Sequence, residues 1–460
     1  RQETPSGIMR KNSSAPENLM GTTFRPYSPG QELLLPPSLN EWLPEGHLAY
    51  FVSDVVEELD LSAFYARYEG NGRRNSPFDP RMMLKVLIYA YATGVFSSRK
   101  IARKLEEDVA FRVLAAGNFP RHRTICDFRK HHLVAFKAVF IQVVRIAREA
   151  ELITLGTLAI DGTKVRANAS KHKAMSYGRM GEEDDRLSKE IDALCRQARQ
   201  TDQSEDRQFG PDNRGDELPE ELQYRQARLD KIRAAKEKLE ADQKERDKAR
   251  GRSPDDDRRS PRGGPNFKRD YGVPDDKDQS NFTDPQSRIM KTADGFQQCY
   301  NGQLAVDGEF QLIVANHLGN NPSDNGCLIP LLDQAKDTLE TYPDQCLADA
   351  GYRKEEDLQT LEDKSIDGYV SLRREGKKSS EIDASRYPAS ARMAGKLATA
   401  TGRSVYAQRK HLVEAVNGWI KHVLGFRQFS LRGLHAVQGE WDLVCLSLNL
   451  RRMSSLMRLT

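Results

Sequence analysis

The stretch LAIDGTKVRA, Leu158 to Ala167, decides how the chain is read. An apolar run climbs toward a core and then meets a carboxylate, Asp161. Fixing a charge beside a core is costly unless something pairs with it. Asp161 therefore either caps a turn or holds a cation. A second stretch, QCLADAGY, repeats the design: Cys346, Leu347 and Ala348 lead into Asp349, and the small residues Ala350 and Gly351 precede Tyr352.

Around these two, the residues after Leu155 read as the strands TLAIDGTKVRA, NGQLAVD and EFQLIVANHLG, then a helix NGCLIPLLDQAKDTLE and the strand QCLADAGY. A helix KEEDLQTLEDK, the strand DGYVSLR and a long helix RKHLVEAVNGWIKHVLG close the series. Three antiparallel strands feeding βαβ units give an α/β core, a mixed sheet with helices on both faces, in the order of a ribonuclease-H-like fold. In that order the first and fourth strands are neighbours, which sets Asp161 beside Asp349. Like charges that close repel unless cations lie between them. Mg²⁺ suits such a pair, because it prefers oxygen ligands and keeps waters for substrate phosphates. A third carboxylate is expected from the last helix. Glu414 lies there, and at about 100° per residue Lys410, Glu414 and Lys421 share one stripe. A lone Asp at a strand end more often caps a turn; three acids on the right elements of one fold order are a stronger sign.

Hydrophobic residues make up 38% of the 460 and charged residues 30%, enough for a core and for one long solvated segment. The net charge of +4 and pI near 8.6 are only mildly basic and do not by themselves mark a nucleic-acid binder. The solvated segment is 174–280, rich in Asp, Glu, Lys, Arg and Gln. Thin apolar seams run through Leu187, Ile191 and Leu194 and through Leu222, Leu229, Ile232 and Leu239, with Arg225 and Lys236 breaking the second. It reads as a charged, antiparallel helical arm with a disordered tail, inserted between the first and second strands. Residues 1–33, rich in Ser, Pro, Asn and Gly, read as a disordered extension. Because the chain begins at Arg1, residues up to about Met20 read as an upstream addition or a leftover of cloning.

Residues 34–152 read as all-helical. Met83, Leu84, Leu87, Ile88 and Tyr91 fall at helix spacing, Gly94 is a stop, and Ser97–Ser98 an N-cap. The next helix carries Arg99, Lys100, Arg103 and Lys104 on one side, and PRHRTICDFRKHH adds Arg121, Arg123 and Arg129 around Phe128. Short helices, a tight turn and a basic face suit a helix-turn-helix-like DNA-binding region; a solvated helical bundle accounts for the same pattern. The core then takes 153–173 and 281–424, and 425–460 is a C-terminal helical segment. Six cysteines without a close pair argue against a disulfide scaffold or a zinc site. No apolar run is long enough to span a membrane and nothing reads as a signal peptide, which points to the cytoplasm.

Taken together, FDPRMMLKVLIYAYATGVFSSRKIARKLEEDVAFRVLA, LAIDGTKVRANAS, TDPQSRIMKT, LADAGY and Y-x-x-R-K-x-x-V-E-A-V-N-G-W-I-K carry a resemblance, over about Phe24 to Met453, to bacterial insertion-sequence transposases of the Asp-Asp-Glu class. The resemblance implies that Asp161, Asp349 and Glu414 are catalytic and hold two divalent ions, Mg²⁺ with Mn²⁺ as a substitute. It implies cleavage at the terminal inverted repeats of a mobile element in double-stranded DNA and joining of the freed 3′-hydroxyl to target DNA. The acting species is then a homodimer or larger, nucleoid-associated. One branch carries a Tyr-Arg-Glu-Lys signature, matched by Tyr406, Arg409, Glu414 and Lys421. The usual spacing leaves three residues between Arg and Glu; here there are four. Lys410 holds the expected spacing, so the DNA contact is open between Arg409 and Lys410. Lys164 and Arg166, just after Asp161, are further candidates for DNA contact. His172, His317 and His411 lie close to motifs, with a structural role the plainer reading. Two other functions stay open: a structure-specific nuclease on the same fold, which cuts but never joins, and an inactive DNA-binding repressor, which would not need the three acids. The resemblance implies nothing about the arm.

Overall fold

The computed structural model describes residues 38, 41–68, 76–209, 220–255, 269–372 and 382–458. The expected N-terminal extension and residues 256–268 of the tail of the arm lie outside them. The rest of the tail, expected to be disordered, is ordered, with Gly272 N–H donating to Asp247 at 2.9 Å and residues 279–281 forming a strand.

The strands are β1 (Thr157–Arg166), β2 (Ala174–Ser176), β3 (Gln279–Asn281), β4 (Arg288–Thr292), β5 (Gly295–Asp307), β6 (Ile313–Gly319), β7 (Gln345–Ala348) and β8 (Asp367–Val370). Before β1 come α1 (Leu48–Glu57), α2 (Ser62–Tyr65), α3 (Pro80–Ala92), α4 (Ser98–Glu107), α5 (Val109–Leu114), α6 (His122–His131) and α7 (Leu133–Glu149). The arm is α8 (Tyr177–Phe209) and α9 (Glu220–Ala249). After it come α10 (Leu328–Leu339), α11 (Glu355–Asp363), α12 (Pro388–Ala398), α13 (Ala400–Ala407), α14 (Arg409–Gly418) and α15 (Leu434–Leu456).

The main sheet runs β6-β5-β1-β7-β8, and β4 continues the edge of β5 that β6 occupies. β5 runs antiparallel to both β1 and β6, whereas β7 and β8 run parallel to β1. β1 and β7 sit in the middle because both are short apolar runs, with Leu158, Ala159, Ile160, Cys346, Leu347 and Ala348 all buried. β5 begins six residues earlier than NGQLAVD suggested, and β4 was not anticipated: both are polar, and their burial comes from tertiary neighbours. The edge at β6 is closed by α15. Asn449 donates to the Ile313 carbonyl and accepts from its N–H, both at 2.8 Å, and Gln438 accepts from Leu318 N–H at 2.7 Å. Bare edge groups are thereby satisfied.

One continuous core runs from Ala49 to Met453. α15 is its axle, burying Trp441, Leu443, Val444 and Leu446 among others. It packs on α7 and α3 as well as on β6, so the N-terminal helices share their core with the sheet. Arg129 illustrates this and corrects its assignment to the basic face. It is 3% exposed, donates to Tyr91 Oη at 2.7 Å and to the Phe96 carbonyl at 3.0 Å, and lies 3.7 Å from Glu440. Glu440 in turn accepts from Tyr91 (2.9 Å) and from Ser430 and Leu431 N–H (2.9 and 3.0 Å). This arginine is a core strut, spent on groups no solvent or ligand reaches.

The arm has a small core of its own: Met180, Leu187, Leu229, Ile232 and Leu239. Arg225–Glu190, Arg228–Glu183 and Arg233–Asp184 cross between its two helices at 2.9–3.1 Å. Arg225, which seemed to break the seam, is one of these rungs. At the base, β2 pairs antiparallel with β3, Ala174 opposite Asn281, so the arm leaves and re-enters the main body at one place. The long last helix is also different. It gives way after Gly418 to a π turn, Trp419–Val423. The widened turn breaks the straight stripe expected through Lys410, Glu414 and Lys421.

Candidate active site

β7 pairs with β1 only as far as Ile160 opposite Ala348. β5 continues along the other edge of β1 to Arg166. Among the described residues, the freed edge is met again only at Arg166, whose N–H donates to the Arg427 carbonyl (3.2 Å) and whose carbonyl accepts from Phe429 N–H (2.9 Å). The sheet therefore has a notch, bordered by residues 161–165 of β1. Asp161 and Asp349 are the first residues past the last β1–β7 pair, one on each strand. Neighbouring strands stand about 4.8 Å apart, so the two carboxylates are close by construction.

Asp161 is 18% exposed at the side chain. It accepts from Gly162 N–H (2.9 Å) and from Asn417 Nδ2 on α14 (3.3 Å). Burial pushes its carboxyl up to about 6; Arg409 pulls against that, and Asp349 adds to it. Asp349 caps the short 3₁₀ turn Ala350–Tyr352, accepting from Gly351 N–H at 2.8 Å. Turn cap and ligand are not exclusive, since the cap uses one oxygen. Glu414, on α14, is 49% exposed. Between the acids stands Arg409, 11% exposed, with Nη2 3.1 Å from Glu414 and Nη1 3.8 Å from Asp161. Its guanidinium carbon lies 6.0 Å from the centre of the Tyr406 ring. Of the two cations left open by the spacing, Arg409 faces the acids and Lys410 is exposed. Burial lowers the pKa of Lys421, which lies within the fields of Asp161 and Lys164.

A fourth acid was missed. Asp324, in the loop between β6 and α10, accepts from Asn301 Nδ2 (2.6 Å), Gln303 Nε2 (2.7 Å) and Lys164 Nζ (3.3 Å). Its surroundings, PSDNG, read as turn chemistry, and that signal masks any other. Tyr352 is buried; burial and then Asp324, Asp161 and Asp349 raise its pKa well above the usual phenol range. It stays a donor, to Gln303 Oε1. Asn417 was also missed, although it sits three residues beyond Glu414 on the same helix.

The basic candidates divide. Arg99, Lys100, Arg103, Arg121 and Arg123 are exposed on α4 and around the start of α6, and Lys104 pairs with Asp108 at 3.1 Å. The turn before α4 is joined to the active-site side: a Cβ on Gly94 (φ +78°) would lie 2.7 Å from the Leu424 carbonyl oxygen, and the Phe96 and Phe426 rings are 5.0 Å apart. Arg166 is exposed. His172, His317 and His411 are all exposed; at His317, on β6, partial desolvation and then the nearby Lys137 lower the pKa.

Among the described residues, no three His, Cys, Asp or Glu side chains stand close enough to hold an ion as they lie. The donor chemistry nonetheless fits a hard divalent cation: all carboxylate oxygen. Asp161 lacks a full counter-charge, as its raised pKa shows, and the buried Oδ1 of Asn417 beside it has no partner. Glu414 is turned to Arg409, which accounts for the incomplete set.

Two family models match the chain. One, described as a transposase domain (DUF772), covers residues 37–131, and the other, described as a transposase DDE domain, covers residues 269–450. Both matches are to transposase domains, and together they are consistent with an insertion-sequence transposase of the DDE type. Asp349 and Glu414 fall inside the second match and Asp161 outside both, so Asp161 rests on its place beside β7. Neither a curated protein nor a solved structure matches the chain. No helix among the described residues is long and apolar enough to cross a membrane.

Proposed function

We propose that this transposase binds the ends of an insertion sequence, cleaves phosphodiester bonds there and joins the freed 3′-hydroxyl to target DNA. The sheet order, with three antiparallel strands and two parallel ones, supports a ribonuclease-H-like core. The observation that carries the reading is the pair of aspartates at the mouth of the notch, with Glu414 linked to Asp161 through Arg409. Asp161, Asp349 and Glu414 would hold two Mg²⁺ ions, or Mn²⁺ in their place. When bound, these would lower the pKa of the attacking water or 3′-hydroxyl and balance charge on the leaving oxygen.

The chain's own side chains do the rest. Lys164, Lys421 and Arg409 offer positive charge to phosphate on the rim of the acids. Arg409 and Tyr406, with Glu414 and Lys421, form the proposed Tyr-Arg-Glu-Lys signature. Tyr352, kept neutral, braces Gln303 beneath the site. In each step a P–O bond forms to the nucleophile and one breaks to the leaving oxygen; the nucleophile loses a proton and the leaving oxygen gains one. The exposed basic residues of α4 and α6 suit phosphate contacts on double-stranded DNA. Pairing two ends requires at least a dimer.

The test is direct. Asp161→Asn, Asp349→Asn and Glu414→Gln remove charge and little volume. Each is expected to abolish cleavage of labelled end DNA in Mg²⁺ while gel-shift affinity stays within about twofold, because the phosphate contacts that dominate binding are untouched. Normal cleavage by one variant would remove that residue from the site. A strand-transfer assay separates a transposase from a nuclease that cuts without joining.

A further inference from the structure

The loop acid Asp324 is built into the notch with more care than a turn requires. Its carboxylate does not cap its own loop; the loop closes through backbone, Cys327 N–H to the Asp324 carbonyl at 3.2 Å. The side chain is spent on the sheet instead. Asn301 and Gln303, both buried on β5, each donate an amide N–H to Oδ1. Gln303 is fixed from behind by the Tyr352 hydroxyl. Two glycines make the room. A Cβ on Gly162 would collide with Asp324 Oδ1 and lie 2.6 Å from Gln303 Nε2. A Cβ on Gly351 would lie 3.0 Å from Asp324 Oδ2 and 2.9 Å from Asp349 Oδ1. Asp324 thus stands beside the residue that follows Asp161 and within one side-chain width of Asp349.

Placing a third carboxylate next to two others is unfavourable unless it serves a partner. The partner is Lys164, 3.3 Å away, three residues after Asp161 on the freed edge of β1. A lysine is a compact charge on a flexible stem and settles on whichever carboxylate it can reach. Asp324 Oδ2 and Asp349 Oδ1 flank the one point where a Gly351 Cβ would sit, at 3.0 and 2.9 Å, so Asp349 is the neighbouring carboxylate on offer once Asp324 is gone.

We propose that Asp324 is a positioning residue that keeps the Lys164 ammonium off the catalytic aspartates. Lys164 is held on the Asp324 side of the notch, where it can meet a DNA phosphate. Asp161 and Asp349 stay available for divalent cations. This rests on the function proposed above and adds a residue and a division of labour within that site.

Mn²⁺ binding to the full chain without DNA, followed by water-proton relaxation, tests it without any activity readout. Asp324→Asn keeps the shape and can still meet the buried amides through its carbonyl, but releases Lys164. It should weaken Mn²⁺ binding roughly ten- to a hundredfold, the usual loss for an outer partner of a metal site. Adding Lys164→Gln should restore most of that affinity, because the intruding cation is gone. Unchanged Mn²⁺ binding in Asp324→Asn would overturn the proposal. So would a loss that Lys164→Gln fails to repair, which would make Asp324 a ligand or a structural prop. Unfolding curves run on both variants separate a prop, which lowers the midpoint, from a positioning role, which leaves it. Asp161→Asn is the control: if it leaves Mn²⁺ binding intact, the proposed function fails, whatever the outcome at Asp324.

Discussion

Asp161 carries a burden that its function explains. Its carboxyl is raised to about 6 in the fold against an ordinary 3.8. Between those values the folded chain holds a proton the unfolded chain has lost, so stability falls as pH rises from about 4 to about 6 and is flat above. Asp161→Asn removes the dependence. At pH 8 without divalent ions it should stabilise the chain by about 1–3 kcal/mol, with the gain gone below about pH 4. Urea unfolding at the two pH values measures this, and a destabilised Asn variant at pH 8 would mean that Arg409 satisfies the charge after all. Arg129 is the opposite case. Removing it strands Glu440 in the core, so Arg129→Ala should cost about 3–5 kcal/mol. Arg99→Ala and Arg103→Ala should each change stability by less than about 0.5 kcal/mol and weaken DNA binding instead. In the sequence all three are simply arginines in a basic stretch; which one faces inward is set by Tyr91 and Glu440, tens and hundreds of residues away.

Among the elements, β1 and β7 were legible because each is an apolar run ending in an acid, and a central strand leaves no other reading. β4 and the first half of β5 were not, since Gln297, Gln298 and Asn301 look like loop residues until their partners are known. α14 was legible as a helix bearing Glu414, but its break into a π turn was not, because no residue in NGWIKHV forbids an ordinary helix. Asp324 was hidden for the same reason: a turn already explained it. The arm was readable from its seams, and its closed base gives it a clean test. Replacing Tyr177–Asp278 with a short Gly/Ser turn on the β2–β3 ribbon should leave a folded protein by circular dichroism. With too little apolar burial to justify a separate domain, the helices gain surface best on assembly, so paired-end complexes and strand transfer should be lost. Unimpaired paired-end complexes in gel shifts would make the arm a spacer; loss of folding would make it part of the core.

For the molecule as a whole, the expected division into a helical DNA-binding domain and a separate catalytic domain meets a core that does not divide. α3 and α7 are covered by α15, and Tyr91 and Arg129 close on Glu440. A fragment ending at Leu152 should therefore fail to fold cooperatively, and a chain cut before Leu434 should be insoluble; far-UV circular dichroism and a sedimentation assay check each, and a well-folded fragment would restore the two-domain view. The same axle helix sets a clock. Tyr91 and Glu440 are 349 residues apart. At bacterial and eukaryotic synthesis rates, that is a wait of roughly 20–70 s between the emergence of the first helices and of the one that covers them. Through that interval the apolar faces of α3 and α7 stand open on the nascent chain, so the yield of native protein depends on translation speed and on what shields those faces meanwhile.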